Sequence, residues 1–114
     1  TAEQQVDIPE DAAGGVLRFW YYAVATGLEV DGDFHLVSVV DENGVYHRLM
    51  RLVWPENNGQ EWLSAELTDE DMDWSQFAGQ EVRIRFETVN NSWTGTGSGI
   101  AALYVDDVSL GICR

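Results

Sequence analysis

Lysine is absent from this chain, and cysteine occurs once, proline twice and histidine twice in 114 residues. Without lysine there is no Schiff-base chemistry. A single cysteine, Cys113, allows neither an internal disulfide nor cysteine-rich zinc spacing. Positive charge is equally scarce: six arginines face twenty Asp and Glu, a formal net charge of -14. Such a surface repels a phosphate backbone and carries no basic stripe, which excludes nucleic acid as the expected partner. No run approaches the roughly 18 apolar residues of a membrane span. His35 and His47 stand in no HExxH or comparable spacing. The chain opens at Thr1 with neither methionine nor signal peptide, so the expectation is a segment of a larger protein, and its localisation is not written here.

Hydrophobic residues make up 45% and aromatics 11%, with five tryptophans, which predicts a folded core despite the charge. The length suits one domain, residues 1–114. Apolar residues recur with period two. In "VLRFWYYAV", Leu17, Phe19 and Tyr21 share one strand face and Arg18, Trp20 and Tyr22 the other. "DFHLVSVVD" and "VYHRLMRLVW" flank Asn43-Gly44, the signature of a type I′ hairpin. "EWLSAEL" reads as a further strand, and the acidic "TDEDMDWSQFAGQ" as a loop with one short helical turn capped by Thr68 or Asp69. In "EVRIRFETV", Val82, Ile84 and Phe86 oppose Arg83 and Arg85. The Gly- and Ser-rich "NNSWTGTGSG" then leads into a last strand. Six or so short strands with almost no helix predict an all-β, antiparallel two-sheet β-sandwich.

That last strand, "LYVDDVSL", carries two adjacent aspartates where a core strand carries valine. Successive side chains alternate between faces, so Asp106 or Asp107 points inward and needs backbone donors, an arginine or a metal ion, unless a bulge turns it outward. "LEVDGDF" places Glu29, Asp31 and Asp33 within five residues, either a solvated acidic turn or the oxygen donors that a hard cation such as calcium gathers. "DEDMDW" imitates an EF-hand only at its first positions: Trp74 stands where glycine is required and Gln80 where a bidentate glutamate belongs, so it reads as an exposed loop. No nucleophile elbow surrounds Ser38, Ser64 or Ser109, no oriented base is evident for Cys113, and pairing two of twenty carboxylates as a glycosidase has no specificity. The expectation is a noncatalytic chain.

Aromatic and guanidinium groups supply the better functional signal. Arg18, Trp20 and Tyr22 on one strand, and Arg83 and Arg85 on another, are candidates for a sheet face on which sugar rings stack. Trp20 in the core is the alternative, since tryptophan buries well. Trp93, in the Gly-rich loop, is either a contact for a partner or a plug over the end of the sandwich.

"IPEDAAGGVLRFWYYA", "DGDFHLVSVVDENG", "FAGQEVRIRFET" and "LYVDDVSL" occur in an order that resembles jelly-roll accessory domains of secreted bacterial enzymes. Similar segments occur in the C-terminal region of immune inhibitor A-type metallopeptidases, in MAM-like domains and in galactose-binding-like carbohydrate-binding modules. The resemblance implies a jelly-roll sandwich of galactose-binding-like type, secreted or held at the cell surface. It further implies structural calcium, with Asp106 matching the family's C-terminal ligand and Glu29 and Asp33 its ligands after the first long strand. Asp31, Asn90 and Asp107 are further candidates. Relatives commonly carry one or two more N-terminal strands and another ligand, so the expected sandwich lacks those strands. Its open edge would be covered by the parent protein or, in a homodimer, by a second copy. The implied role is binding a glycan or protein surface, or docking a neighbouring catalytic domain; the competing role is a purely structural or self-assembly domain.

Overall fold

The computed structural model describes residues 1–25, 33–53, 56–89 and 101–114. Among these residues seven strands run in chain order: β1 (Ala2–Asp7), β2 (Gly14–Ala25), β3 (Phe34–Val40), β4 (Tyr46–Leu52), β5 (Trp62–Leu67), β6 (Glu81–Val89) and β7 (Ala101–Cys113). They form two sheets, β1-β6-β3-β4 (sheet A) and β5-β2-β7 (sheet B). Every pairing is antiparallel. The all-β sandwich expected from period-two patterning is the fold.

Alternation decides what meets between the sheets. Leu17 and Phe19 from β2 face Val37 and Val39 from β3 and Val82, Ile84 and Phe86 from β6, all at most 5% exposed. Phe19 meets Phe86 edge to face, with ring centroids 5.2 Å apart, so one aromatic pair ties the two sheets together. Trp74 and Phe77 close one end from a 3-10 turn, Trp74–Phe77, and both are fully buried. The segment expected to be an exposed loop thus contributes a core residue. Its acids serve the backbone around that residue: Asp69 Oδ1 accepts from the N–H of Gly15 at 3.2 Å and of Trp74 at 3.3 Å. Gly15 is required by this approach, because a Cβ there would lie 3.0 Å from the Gly111 carbonyl and 3.2 Å from Trp74.

Local details depart from expectation in three places. The 3-10 turn is capped by Asp73, whose Oδ1 accepts from Ser75 N–H at 3.1 Å, and not by Thr68 or Asp69. Those residues form the turn before it, where Thr68 Oγ1 accepts from Glu70 N–H. The β3–β4 hairpin is not type I′, because only Gly44, and not Asn43, has positive φ. The Gly44 N–H bonds to the Asp41 carbonyl and Asp41 N–H to the Val45 carbonyl, a three-residue loop with a glycine bulge. Asp41 decides the choice by accepting through Oδ1 from Asn43 and Val45 N–H and through Oδ2 from His47. The third departure is β1. "AEQQVD" is polar and almost wholly exposed, with no apolar alternation, yet it pairs with β6 over its whole length.

Candidate binding face

The outer face of sheet B is built by register. Tyr22 of β2 lies between Trp62 of β5 and Tyr104 of β7; Trp20 lies between Ser64 and Asp106; Arg18 lies between Glu66 and Ser109. Directly paired residues share a face, so the alternation that buries Leu17 and Phe19 turns these three rows outward. Three rings form one row across the strands, with the Tyr22 centroid 5.7 Å from Trp62 and 6.2 Å from Tyr104. Trp62 is 50% exposed, Tyr104 58% and Trp20 46%. Trp20 is therefore outside the core. Arg18, Trp20 and Tyr22 come together as expected, while Trp62 and Tyr104 join them only through strand order, which period-two patterning within single segments does not reveal.

The aspartate question resolves at the same place. Between Arg18 and Trp20 the β2–β7 register shifts: Arg18 pairs with Ser109 but Trp20 with Asp106, leaving Asp107 and Val108 opposite Phe19. That is a β-bulge, with Asp107 in the left-handed region at φ 53°. Both aspartates are exposed, and Asp106 Oδ1 accepts from the Asp107 N–H at 2.9 Å. The bulge opens a depression of about 330 Å³ beside the aromatic row. Arg18, Trp20, Ser64, Glu66, Asp107 and Ser109 line its walls, and Phe19 and Ala65 lie beneath. Arg18 Nε donates to Glu66 Oε2 at 3.1 Å.

Arg83 and Arg85 lie elsewhere, on the outer face of sheet A. Glu3 of β1 accepts from Arg83 at 3.3 Å and from Arg85 at 2.6 Å, while Glu87 approaches Arg85 at 3.8 Å. The Arg85 guanidinium also sits over Tyr46, 5.6 Å from its centroid. The two arginines are thus separated from Trp20 by the thickness of the sandwich.

Of the candidate metal ligands, Glu29, Asp31 and Asn90 lie outside the described residues, as does Trp93. Asp33 is buried at 5% exposure, where β3 begins. Asn57, itself 3% exposed, donates through Nδ2 to the Asp33 carbonyl at 2.7 Å. His35 Nε2–H donates to the Asn57 carbonyl at 3.0 Å, which makes Nδ1 the acceptor for the Thr88 hydroxyl at 2.9 Å. Burial holds the His35 imidazole below its ordinary pKa, against the opposing pull of the Asn57 and Val24 backbone and the Asp33 charge. Asp33 and Asp106 are not brought together. Asn58 bonds to Ala25 at the end of β2, whereas Asp106 pairs with Trp20, five residues or about 17 Å along that strand. Among the described residues no three His, Cys, Asp or Glu side chains gather as a metal site. No helix among them is long and apolar enough to cross a membrane.

A scan against protein-family models finds no match, and neither does a search of curated proteins.

Proposed function

We propose that this chain is a noncatalytic accessory module of a secreted or surface bacterial protein, and that it binds a glycan on the outer face of sheet B. One observation carries the reading: Trp62, Tyr22 and Tyr104 form a row of rings on a rigid sheet, with nothing among the described residues covering the exposed Trp62 and Tyr104. Rings bury a large apolar area at little entropic cost, and sugar rings present C–H faces of matching size. Polar groups beside the row supply hydrogen bonds. The test is native gel electrophoresis through soluble polysaccharides, with hydroxyethylcellulose, laminarin, xyloglucan and galactomannan in separate gels. Retardation of the native chain that is lost in Trp62→Ala supports the reading; unretarded migration in every gel sinks it.

Structural calcium belongs to the same proposal, but at the Asp33 end alone. Its support is the Asn57 Oδ1, buried with no hydrogen-bond partner among the described residues, beside the carbonyl-anchored Asp33. Asp106 and Asp107 lie too far along β2 and β7 to share that site.

Self-assembly is the second reading. Among the described residues β7 pairs with β2 alone, leaving a 13-residue edge, and its inward Leu103 and Val105 border a groove against β1 and Phe86. A bulge and two exposed aspartates in mid-edge oppose strand addition by a second copy. Light scattering across a hundredfold concentration range separates the two: a monomer throughout favours glycan binding, and a concentration-dependent dimer favours self-assembly.

A further inference from the structure

We infer that the bulge in β7 exists to aim the Asp107 carboxylate into the depression beside Trp20, where it binds the hydroxyls of one neutral hexose unit of a soluble glycan chain. The inference rests on the glycan-binding reading above and names the ligand class and the residue that selects it.

Asp107 is a non-glycine residue at φ 53°, a conformation that L side chains adopt reluctantly, in the middle of a strand. Strain of this kind persists where surrounding structure enforces it, and its location directs attention to function. The neighbouring carboxylate maintains the geometry: Asp106 Oδ1 holds the Asp107 N–H. Asp107 then lines the depression, and its own carboxylate makes no hydrogen bond to any described residue. Around it stand the Trp20 ring, half exposed, the serine hydroxyls of residues 64 and 109, and the Arg18–Glu66 pair. A ring wall for the C–H face of a sugar, with carboxylate acceptors and a guanidinium donor for vicinal hydroxyls, is the chemistry of a hexose site. About 330 Å³ is small enough to limit it to roughly one such unit.

Two further features narrow the ligand. Glu66 and Asp107 line the depression against the single Arg18, and Asp106 adds a further negative charge in the adjoining Trp20 row, so uronate or sulfate groups are repelled. In the adjoining row the Tyr22 ring is tilted 58° to Trp62 and 68° to Tyr104. Rings at these angles cannot all lie against a flat crystalline surface. Successive sugar units of a free chain, turned relative to one another, can follow them.

The experiment compares the native chain with Asp107→Gly for thermal melting and for retardation in the neutral polysaccharide gels, with alginate and microcrystalline cellulose as anionic and crystalline controls. Glycine accepts positive φ without strain but adds conformational entropy to the unfolded chain, and because the two effects oppose each other the melting temperature should move little. Affinity for the neutral polysaccharide should fall about tenfold or more, the effect of losing hydrogen bonds to a charged acceptor. Neither control should bind. Unchanged affinity in Asp107→Gly overturns the role of Asp107 while leaving the glycan reading intact. Binding to alginate or to cellulose alone overturns the ligand class. If no polysaccharide retards the native chain, the glycan reading fails and the Asp107 inference falls with it.

Discussion

The two outer faces of this sandwich are assembled from the same kind of residue pattern, alternating strands with arginine and large side chains outward, yet they end in opposite states. On sheet A, Arg83 and Arg85 are met by Glu3 and Glu87, and Arg85 is further covered by Tyr46. On sheet B the rings of Trp62, Tyr104 and Trp20 remain about half exposed, and the ring contacts of Trp62 and Tyr104 among the described residues are to Tyr22. A face whose groups already have partners has little left to offer a ligand. An aromatic face without a cover retains most of the apolar area it can bury. On the proposed reading, recognition belongs to sheet B, while the ion pairs give local cohesion to sheet A.

The largest expected effect comes from breaking sheet B. Trp62→Ala with Tyr104→Ala removes both outer rings of the row, and truncating an aromatic anchor in a binding site costs about 2 kcal/mol or more, roughly 30-fold in affinity for each ring. Glycan retardation should vanish. Both side chains are exposed in the free protein, so the melting temperature should move little. Loss of folding in this variant would show that the row is structural and would remove the contrast between the faces.

The proposed calcium site sharpens the comparison because it belongs to neither face. If the ion sits at the Asp33 end, calcium at a hundred times its Kd adds about 2.7 kcal/mol to stability. The resulting rise in melting temperature should be absent with magnesium and absent in Asp33→Asn. Asp106→Ala should keep it, because Asp106 lies in the sheet B face. A calcium response that disappears in Asp106→Ala would instead join the two ends of β2 through that residue, and no calcium response at all would end the metal proposal.

Much of this architecture was legible in the chain, for identifiable reasons. Strands with a clean alternation, such as "VLRFWYYAV" and "EVRIRFETV", declare both their type and their buried face, since one period distinguishes inside from outside. β1 was illegible because it has no apolar alternation: it is held by backbone pairing with β6 and by the Glu3 ion pairs to Arg83 and Arg85, which depend on strand order. Trp74 was hidden by its acidic neighbours: four of the six residues from 69 to 74 are acidic, in an order that mimics a metal loop, while Gly15, which admits the ring, lies 59 residues away. For the site, Arg18, Trp20 and Tyr22 were readable from one segment. Trp62 and Tyr104 depended on which strands become neighbours, and grouping Arg83 and Arg85 with Trp20 failed because local alternation does not say which sheet a strand joins. The paired aspartates had two readings, buried ligand or bulge, and only the register of β7 against β2 separates them.

Acid should weaken both faces together, through the polar node between the sheets. His35 is buried and neutral, donating to the Asn57 carbonyl, and burial lowers its pKa below the unfolded value near 6.5. The unfolded chain then binds the proton more readily than the native one. Stability is full above about pH 6.5 and declines as pH falls from there towards the native pKa, by at most about 1.4 kcal/mol per pH unit. Melting curves between pH 7.5 and 5 should show this slope, and His35→Gln should flatten it. A stability that is level across this window in the native chain would mean that His35 is protonated as easily inside the fold as outside it.

The smallest effect tests the other half of the contrast. Arg85→Ala removes the cation that Glu3 and Glu87 share, and the ring contact with Tyr46. Exposed ion pairs contribute little and are screened by salt, so the melting temperature should drop slightly in dilute buffer and by less at 1 M sodium chloride. Glu3→Gln should give a drop of similar sign, since Arg83 and Arg85 would then face each other without their shared carboxylate. Glycan affinity should be unchanged in both, because these residues lie on the far side of the core from Trp62 and Trp20. A loss of glycan binding in Arg85→Ala, with the melting temperature unmoved, would invert the assignment: the guanidinium groups of sheet A would be the recognition surface, and the rings of sheet B would be left for contact with a neighbouring domain.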